Sequence, residues 1–299
     1  MNAPDKLLLG EVRDIPAEQY HQIEAMSSTG LRLFARSPWH WKNRVPVTPT
    51  KAMLNGTLAH CAQLEPDAMA ARYVVVPEDA PRRPTEAQWN AKKSNEDSMA
   101  AKAWWSEFLD SVGQRQIVAA TDYAITQAQL RAIAADPYLA ELFSRGYAEA
   151  SVFCIDKATG VYCKARPDWV HPIDGKRVKL VDLKTTADES PDGFSRALTS
   201  LGHHRQRAHY ISVFEQATGL EVVEFVFAAV TSAHPVLAVP YVLDIEDATQ
   251  GEDECAELLE RFAWCQRENQ WPAYGSGPQV VGLQKWAKRS TEVEVSFVE

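Results

Sequence analysis

Several common protein classes are ruled out by what this sequence lacks. Its five cysteines, Cys61, Cys154, Cys163, Cys255 and Cys265, are odd in number and contain no C-x-x-C pair. That pattern speaks against a disulfide framework and against a zinc or iron–sulfur knuckle, and it fits reduced thiols. No apolar run approaches the ~18 residues of a membrane span, and residues 1–10 lack the apolar stretch of a secretory signal. The expectation is a soluble cytoplasmic protein with no membrane partner. There is no G-x-S-x-G, no phosphate-cradling P-loop and no dinucleotide fingerprint, so triad-hydrolase, NTPase and dehydrogenase chemistries lack their usual supports.

What remains is ordinary globular material: 299 residues, 45% hydrophobic and 24% charged. That length suits one large domain or two small ones, each able to bury a core. The formal charge is −9, which at first sight argues against a nucleic-acid partner. Its distribution weakens that argument. Residues 244–260 carry Asp244, Glu246, Asp247, Glu252, Asp253, Glu254, Glu257 and Glu260, a local −8. Residues 25–64 contain no Asp or Glu, while Arg32, Arg36, Lys42, Arg44 and Lys51 give +5 interleaved with Phe34, Trp39 and Trp41. Such a mixture can hold phosphates and stack on bases, although the same residues also pack helices. The charge pattern predicts an acidic outer helix and a basic, aromatic entrance.

Local signals give the element order. Ser27 to Thr29 before Leu31, Leu33 and Phe34 reads as a capped short helix ended by Ser37-Pro38. A second helix is predicted over 57–64, stopped by Pro66, then a proline-rich loop over 77–84. Residues 86–112 and 125–143 read as helices of an insertion, with Trp89, Trp104, Trp105 and Phe108 as buried anchors. The middle turns β-rich over 150–155, 161–170 and 177–184, separated by turn residues that predict an antiparallel meander. A helix over 204–218 ending at Gly219, strands over 222–231 and 236–243 and the acidic helix to about 268 complete an α/β sheet flanked by helices.

The chemistry concentrates in residues 164–168 (K-A-R-P-D) and 181–186 (V-D-L-K-T-T). Strand alternation puts Asp182 and Lys184 on one face and Leu183 in the core, and a hairpin can bring Asp168 beside Asp182. Two close carboxylates need a counter-charge, most commonly a divalent cation, beside which a lysine can orient an attacking water. A surface Asp–Lys ion pair is the plainer alternative. Gly56 and His60 are four apart on one helix face, the glycine permitting close backbone approach. Gln206 and Tyr210 share the same spacing, and Glu149 adds a further acid before the first strand.

Taken in order, G-x-x-x-H, an Asp on a strand, D-x-K and Q-x-x-x-Y resemble the RecB-like branch of the PD-(D/E)XK nuclease superfamily. The wider wording is similar to the RecE-type exonucleases (exodeoxyribonuclease VIII-like) of phages and prophages. Residues 27–31 with Ser37-Pro38, 56–60 with 64–66, 164–169, 181–186, 206–210, Trp264-Cys265 and 271–274 carry the likeness, which spans nearly the whole chain.

The resemblance implies the PD-(D/E)XK nuclease fold, a central mixed or antiparallel sheet flanked by helices, in a single nuclease domain over 1–299 with a helical insertion near 78–145. It implies His60, Asp168, Asp182 and the Leu183 carbonyl as ligands of Mg2+ or Mn2+, with Lys184 as the catalytic lysine acting with these three side chains. Gln206 and Tyr210 would support the site and contact DNA, as would Ser28 and Arg32. Glu149 is a supporting or second-metal acid, and Arg166 either reaches a phosphate or makes a structural ion pair. By the same resemblance the substrate is linear double-stranded DNA, digested 5′ to 3′ to leave 3′ single strands for an annealing partner of the RecT/Beta type. The protein would form a homo-oligomeric ring in a bacterial or phage-infected cell. Competing readings are an endonuclease or repair nuclease of the same superfamily and a catalytically silent DNA-binding or annealing protein.

Overall fold

The fold is described from a computed structural model over residues 7–13, 15–91 and 95–282. Residues 1–6, part of the stretch read for a signal, and residues 283–299 at the end of the expected single domain lie outside the described residues.

In chain order the strands are β1 (Gly10–Val12), β2 (Tyr73–Val75), β3 (Gln116–Val118), β4 (Tyr147–Ala148), β5 (Ser151–Ile155), β6 (Tyr162–Ala165), β7 (Trp169–Pro172), β8 (Arg177–Thr186), β9 (Glu221–Thr231) and β10 (Ala238–Tyr241). The helices are α1 (Ala17–Gln22), α2 (Ser28–Arg36), α3 (Pro38–Lys42), α4 (Lys51–Leu64), α5 (Met69–Arg72), α6 (Glu86–Trp89), α7 (Glu96–Val112), α8 (Ala120–Ala135), α9 (Pro137–Ser144), α10 (Pro191–Leu201), α11 (His203–Thr218) and α12 (Ile245–Glu268).

A five-stranded sheet in the order β10-β9-β8-β7-β4 forms the centre, and a three-stranded sheet β1-β5-β6 lies beside it. The mixed α/β architecture agrees with the predicted class, but the connectivity is not one meander. The predicted strand over 161–170 is two strands in different sheets, because Pro167 interrupts the ladder and the chain bends there. Strands β5–β6 and β7–β8 are antiparallel pairs, whereas β8 and β9 run parallel. A parallel step needs a crossover, and α10 with α11 supplies it. The α10 half carried no reading from sequence.

Alternation along β8 and β9 builds a core on each face of the central sheet. Leu180, Phe225 and Phe227 join α11 and α12 residues on one side, while Val181, Leu183, Val226 and Ala228 meet α8 and α9 residues on the other. Phe34, Phe214 and Leu180 have no exposed surface.

Caps explain most boundary differences. The α4 helix begins at Lys51, capped by the Thr50 hydroxyl, so Gly56 lies inside the helix and not ahead of it. The predicted helix over 125–143 is two helices, divided where the Asp136 carboxylate accepts the Tyr138 and Leu139 amides. The α6 and α7 helices occupy the predicted helix over 86–112, of which 92–94 lie outside the described residues. Only Trp105 of its four expected anchors is buried, because Trp104 and Phe108 stack on each other at the helix surface, 5.1 Å apart.

The acidic helix α12 is less free than its charge suggested. Glu254 takes Arg205 at 2.7 Å and His204 at 3.1 Å, and Glu252 takes Arg207 at 3.0 Å. Where α12 crosses α11, a Cβ on Gly251 would lie 2.6 Å from the His204 carbonyl oxygen, so only glycine permits this approach.

A candidate metal and phosphodiester site

Two connections carry the chain between the sheets, and each presents an acid. The link from β4 to β5 holds Glu149, and the link from β6 to β7 holds Asp168. The two are tied by the Glu149 amide donating to the Asp168 carbonyl at 3.0 Å. Glu149 takes a φ of 56°, a left-handed conformation uncommon outside glycine and asparagine.

Helix α4 brings the third group. A Cβ on Gly56 would stand 3.2 Å from Thr185 Oγ1, so the bare glycine lets α4 lie close over β8, and one turn later His60 sits over the same strand. His60 Nδ1 is 3.6 Å from Asp168 Oδ2, and the Leu183 backbone faces the imidazole. Donor atoms of His60, Glu149 and Asp168 all lie within 4.8 Å of one another.

Beside that trio stand the residues of β8. Trp169 pairs with Val181, which places Asp168 opposite Asp182, and the Leu183 amide donates to Asp168 Oδ2 at 2.7 Å. Asp182 is 1% exposed and Leu183 is buried in the core, as alternation predicted. The Lys184 ammonium meets Asp182 Oδ2, and Gln206 Nε2 donates to Asp182 Oδ1 at 2.7 Å. Thus Asp182 faces lysine and glutamine, while Glu149 stands with His60 and Asp168. Among the described residues the buried Asp182 Oδ2 has no hydrogen-bond donor of good geometry beside its ion pair with Lys184.

The electrostatics fit a cation. Burial, then the Asp182 charge, holds the Asp168 carboxyl well above the usual carboxylate range. Burial, then the Asp168 charge, pushes Glu149 up to about 7 against the pull of Arg166. Such crowding of buried acids is relieved by a positive ion. Burial and Lys184 lower His60, which keeps the imidazole neutral and its lone pair available near pH 7. One nitrogen and several oxygens suit Mg2+ or Mn2+, the nitrogen favouring Mn2+.

The other sequence-predicted residues fall around this centre. Ser28, at the start of α2, hydrogen-bonds Tyr210, whose hydroxyl is driven well above its usual range mainly by burial. Arg32 is exposed on the same helix. Arg166 belongs to no strand: its Nε lies 2.7 Å from Glu149 Oε2 and its Nη2 donates to the Ile15 carbonyl at 3.0 Å. The ion-pair alternative therefore describes its contacts in this structure. One residue went unread in the sequence. His203 Nδ1 lies 3.3 Å from Gln206 Oε1, and since the Gln206 amide nitrogen faces Asp182, His203 is the donor. Its signal was the three-residue helical spacing to Gln206.

Residues 21–281 match a family model described as "PDDEXK-like domain of unknown function (DUF3799)". Among solved structures, a "Putative exonuclease" from Eubacterium rectale aligns over 86% of this chain and 88% of its own, at 14% identity and a TM-score of 0.53, which shows a shared fold. An alkaline exonuclease from Laribacter hongkongensis aligns over 68% of this chain and 97% of its own, at 16% identity and a TM-score of 0.26. No curated protein matches the sequence. No helix among the described residues is long and apolar enough to cross a membrane.

Proposed function

The chain belongs to the PDDEXK-like family DUF3799, and from that premise we propose that it is a metal-dependent exonuclease hydrolysing the phosphodiester bonds of linear double-stranded DNA. The reading is RecE-type: digestion 5′ to 3′ by a homo-oligomeric ring in the cytoplasm of a bacterial or phage-infected cell, leaving 3′ single strands to an annealing partner of the RecT/Beta type. The chain acts as one nuclease domain, with residues 78–145 as its insertion. One observation carries the reading. The Lys184 ammonium, fixed on the buried Asp182 carboxylate, stands next to the donor set of His60, Glu149 and Asp168. The shared fold with the Eubacterium rectale protein, which bears an exonuclease name, agrees with it.

His60, Glu149 and Asp168, with Asp182 and the Leu183 carbonyl at their edge, would hold Mg2+ or Mn2+. Bound there, the ion supplies Lewis-acid stabilisation of charge on a phosphate and lowers the cost of deprotonating a water. The protein's own groups do the rest. Lys184 orients the attacking water and offsets negative charge growing on the phosphoryl oxygens. Asp182 keeps that ammonium in place, and Gln206 holds the second oxygen of Asp182. Arg166 holds Glu149 in the cluster.

The test is digestion of linear and covalently closed duplex of equal length in Mg2+ or Mn2+. Loss of the linear form alone, abolished in Asp182→Ala, is expected. Rapid loss of closed circles would replace the exonuclease by an endonuclease, and full activity in Asp182→Ala would overturn the site assignment.

A further inference from the structure

Helix α2 presents Ser28, Arg32 and Arg36 at four-residue intervals, so the three share one face, while Leu31 and Phe34 are buried on the other. Ser28 touches Tyr210 of the site, and His203, lowered by burial and then by Lys184, also feels the charge of Arg32. Arg36 is one turn further on, about 12 Å from Ser28 along the axis. Both arginines are exposed, and among the described residues neither has an ion-pair partner. The face thus runs outward from Lys184 as a cationic rail.

At its outer end the chain turns at Ser37, whose hydroxyl lies 2.6 Å from His40 Nδ1, and α3 begins. Trp41 is spoken for there: it stacks on Trp271 at 5.0 Å and carries Arg44 on its ring at 4.3 Å. Trp39 and Tyr274 are not. They stand on the His40 ring at 5.4 and 5.9 Å and are 49% and 62% exposed. Their supports are fixed by the Trp39 amide, which donates to the Pro272 carbonyl at 3.1 Å, and by Lys42 over Trp271 at 4.9 Å.

We propose that Arg32, Arg36, Trp39 and Tyr274 form a binding surface for single-stranded DNA leading away from the Lys184 site. Two features select this occupant. The segment contains no acid from residue 25 to 64, which complements a phosphate backbone, and at its outer end Trp39 and Tyr274 offer exposed aromatic faces that only unpaired bases can stack on. The surface deepens the proposed nuclease reading by naming where a displaced or remaining single strand would lie.

Binding of a labelled oligo-dT and of a duplex of the same length is measured by fluorescence anisotropy in EDTA, so that hydrolysis plays no part. The wild type should bind the single strand more tightly than the duplex. Trp39→Ala should weaken the single strand by about tenfold, in keeping with the loss of one stacked base, with a smaller effect on duplex and rescue by Trp39→Phe. Arg36→Glu, at an exposed position with no ion-pair partner among the described residues, should weaken it likewise and leave thermal unfolding unchanged. Unaltered oligo-dT binding in both variants overturns the proposal, as does an equal loss on both nucleic acids. A wild type that binds oligo-dT in this way but fails to digest linear duplex with Mg2+ or Mn2+ would overturn the nuclease reading and leave this surface standing.

Discussion

The Gln206 side-chain amide donates to Asp182 Oδ1 at 2.7 Å, and His203 donates in turn to Gln206 Oε1 at 3.3 Å. The chain of bonds ends on the Lys184 ammonium, so α11 sets the position of a lysine carried by β8. Gln206→Leu should lower turnover of linear duplex at least tenfold. It should also cost roughly 2 kcal/mol of stability, because a buried carboxylate oxygen loses its donor. His203→Phe keeps the ring packing against Phe194 and should reduce turnover less, with little change in substrate KM. Equal rates for Gln206→Leu and wild type would show that Asp182 needs no such support.

Removing Lys184 alone leaves a carboxylate that is 1% exposed without its counter-charge. Lys184→Ala should therefore abolish activity and also destabilise the fold by about 2 kcal/mol, less than a fully buried pair would lose because the lysine side chain keeps 21% of its surface exposed. Adding Asp182→Asn should restore much of the stability and none of the activity. Urea titrations of the three variants separate the two effects.

Glu149, raised to about 7, makes a signed prediction. As pH climbs from about 4 towards 7, the unfolded chain releases this proton while the folded chain keeps it. The stability of the ion-free protein should fall across that window, by up to roughly 3 kcal/mol. A cation expels the proton, so Mn2+ binding followed by calorimetry at pH 6 in two buffers should show proton release, and affinity should strengthen with pH. Glu149→Gln should flatten the pH dependence and weaken Mn2+ binding.

His209 gives the opposite slope. It is 1% exposed, its Nε2 lies 3.0 Å from the Lys164 carbonyl, and burial lowers it to about 4. Below the ordinary histidine range the unfolded chain takes up a proton that the folded chain refuses, so stability present above pH 6.5 is lost as pH falls towards 4. About 2 kcal/mol should disappear between pH 7 and pH 5. His209→Asn should remove most of that difference in thermal melts.

Much of this arrangement was legible where a short period and a strong local signal coincide. The D-x-K strand declares itself by alternation, and Gly56 with His60 by one helical turn. Gly219 closes α11 with a φ of 73°. What escaped depends on long-range placement. A ten-residue stretch over 161–170 with β-formers at both ends does not reveal that Pro167 hands the chain from one sheet to another. Nor does an acid before a strand announce the left-handed turn that aims Glu149 at His60. The five basic residues over 25–64 looked alike in the sequence, yet Lys51 pairs with Asp122 at 3.2 Å and Arg44 and Lys42 lie on tryptophans, whereas Arg32 and Arg36 have no such partner among the described residues.

Glu149 and Asp168 each occupy a link between the two sheets, and His60 rides on a helix pressed to one of them. An ion gripped by all three would act as a clasp across that seam, since neither sheet could swing away without first releasing it. Divalent occupancy should then slow unfolding far more than it speeds folding, and the lifetime of the native state would be set by the departure of the ion.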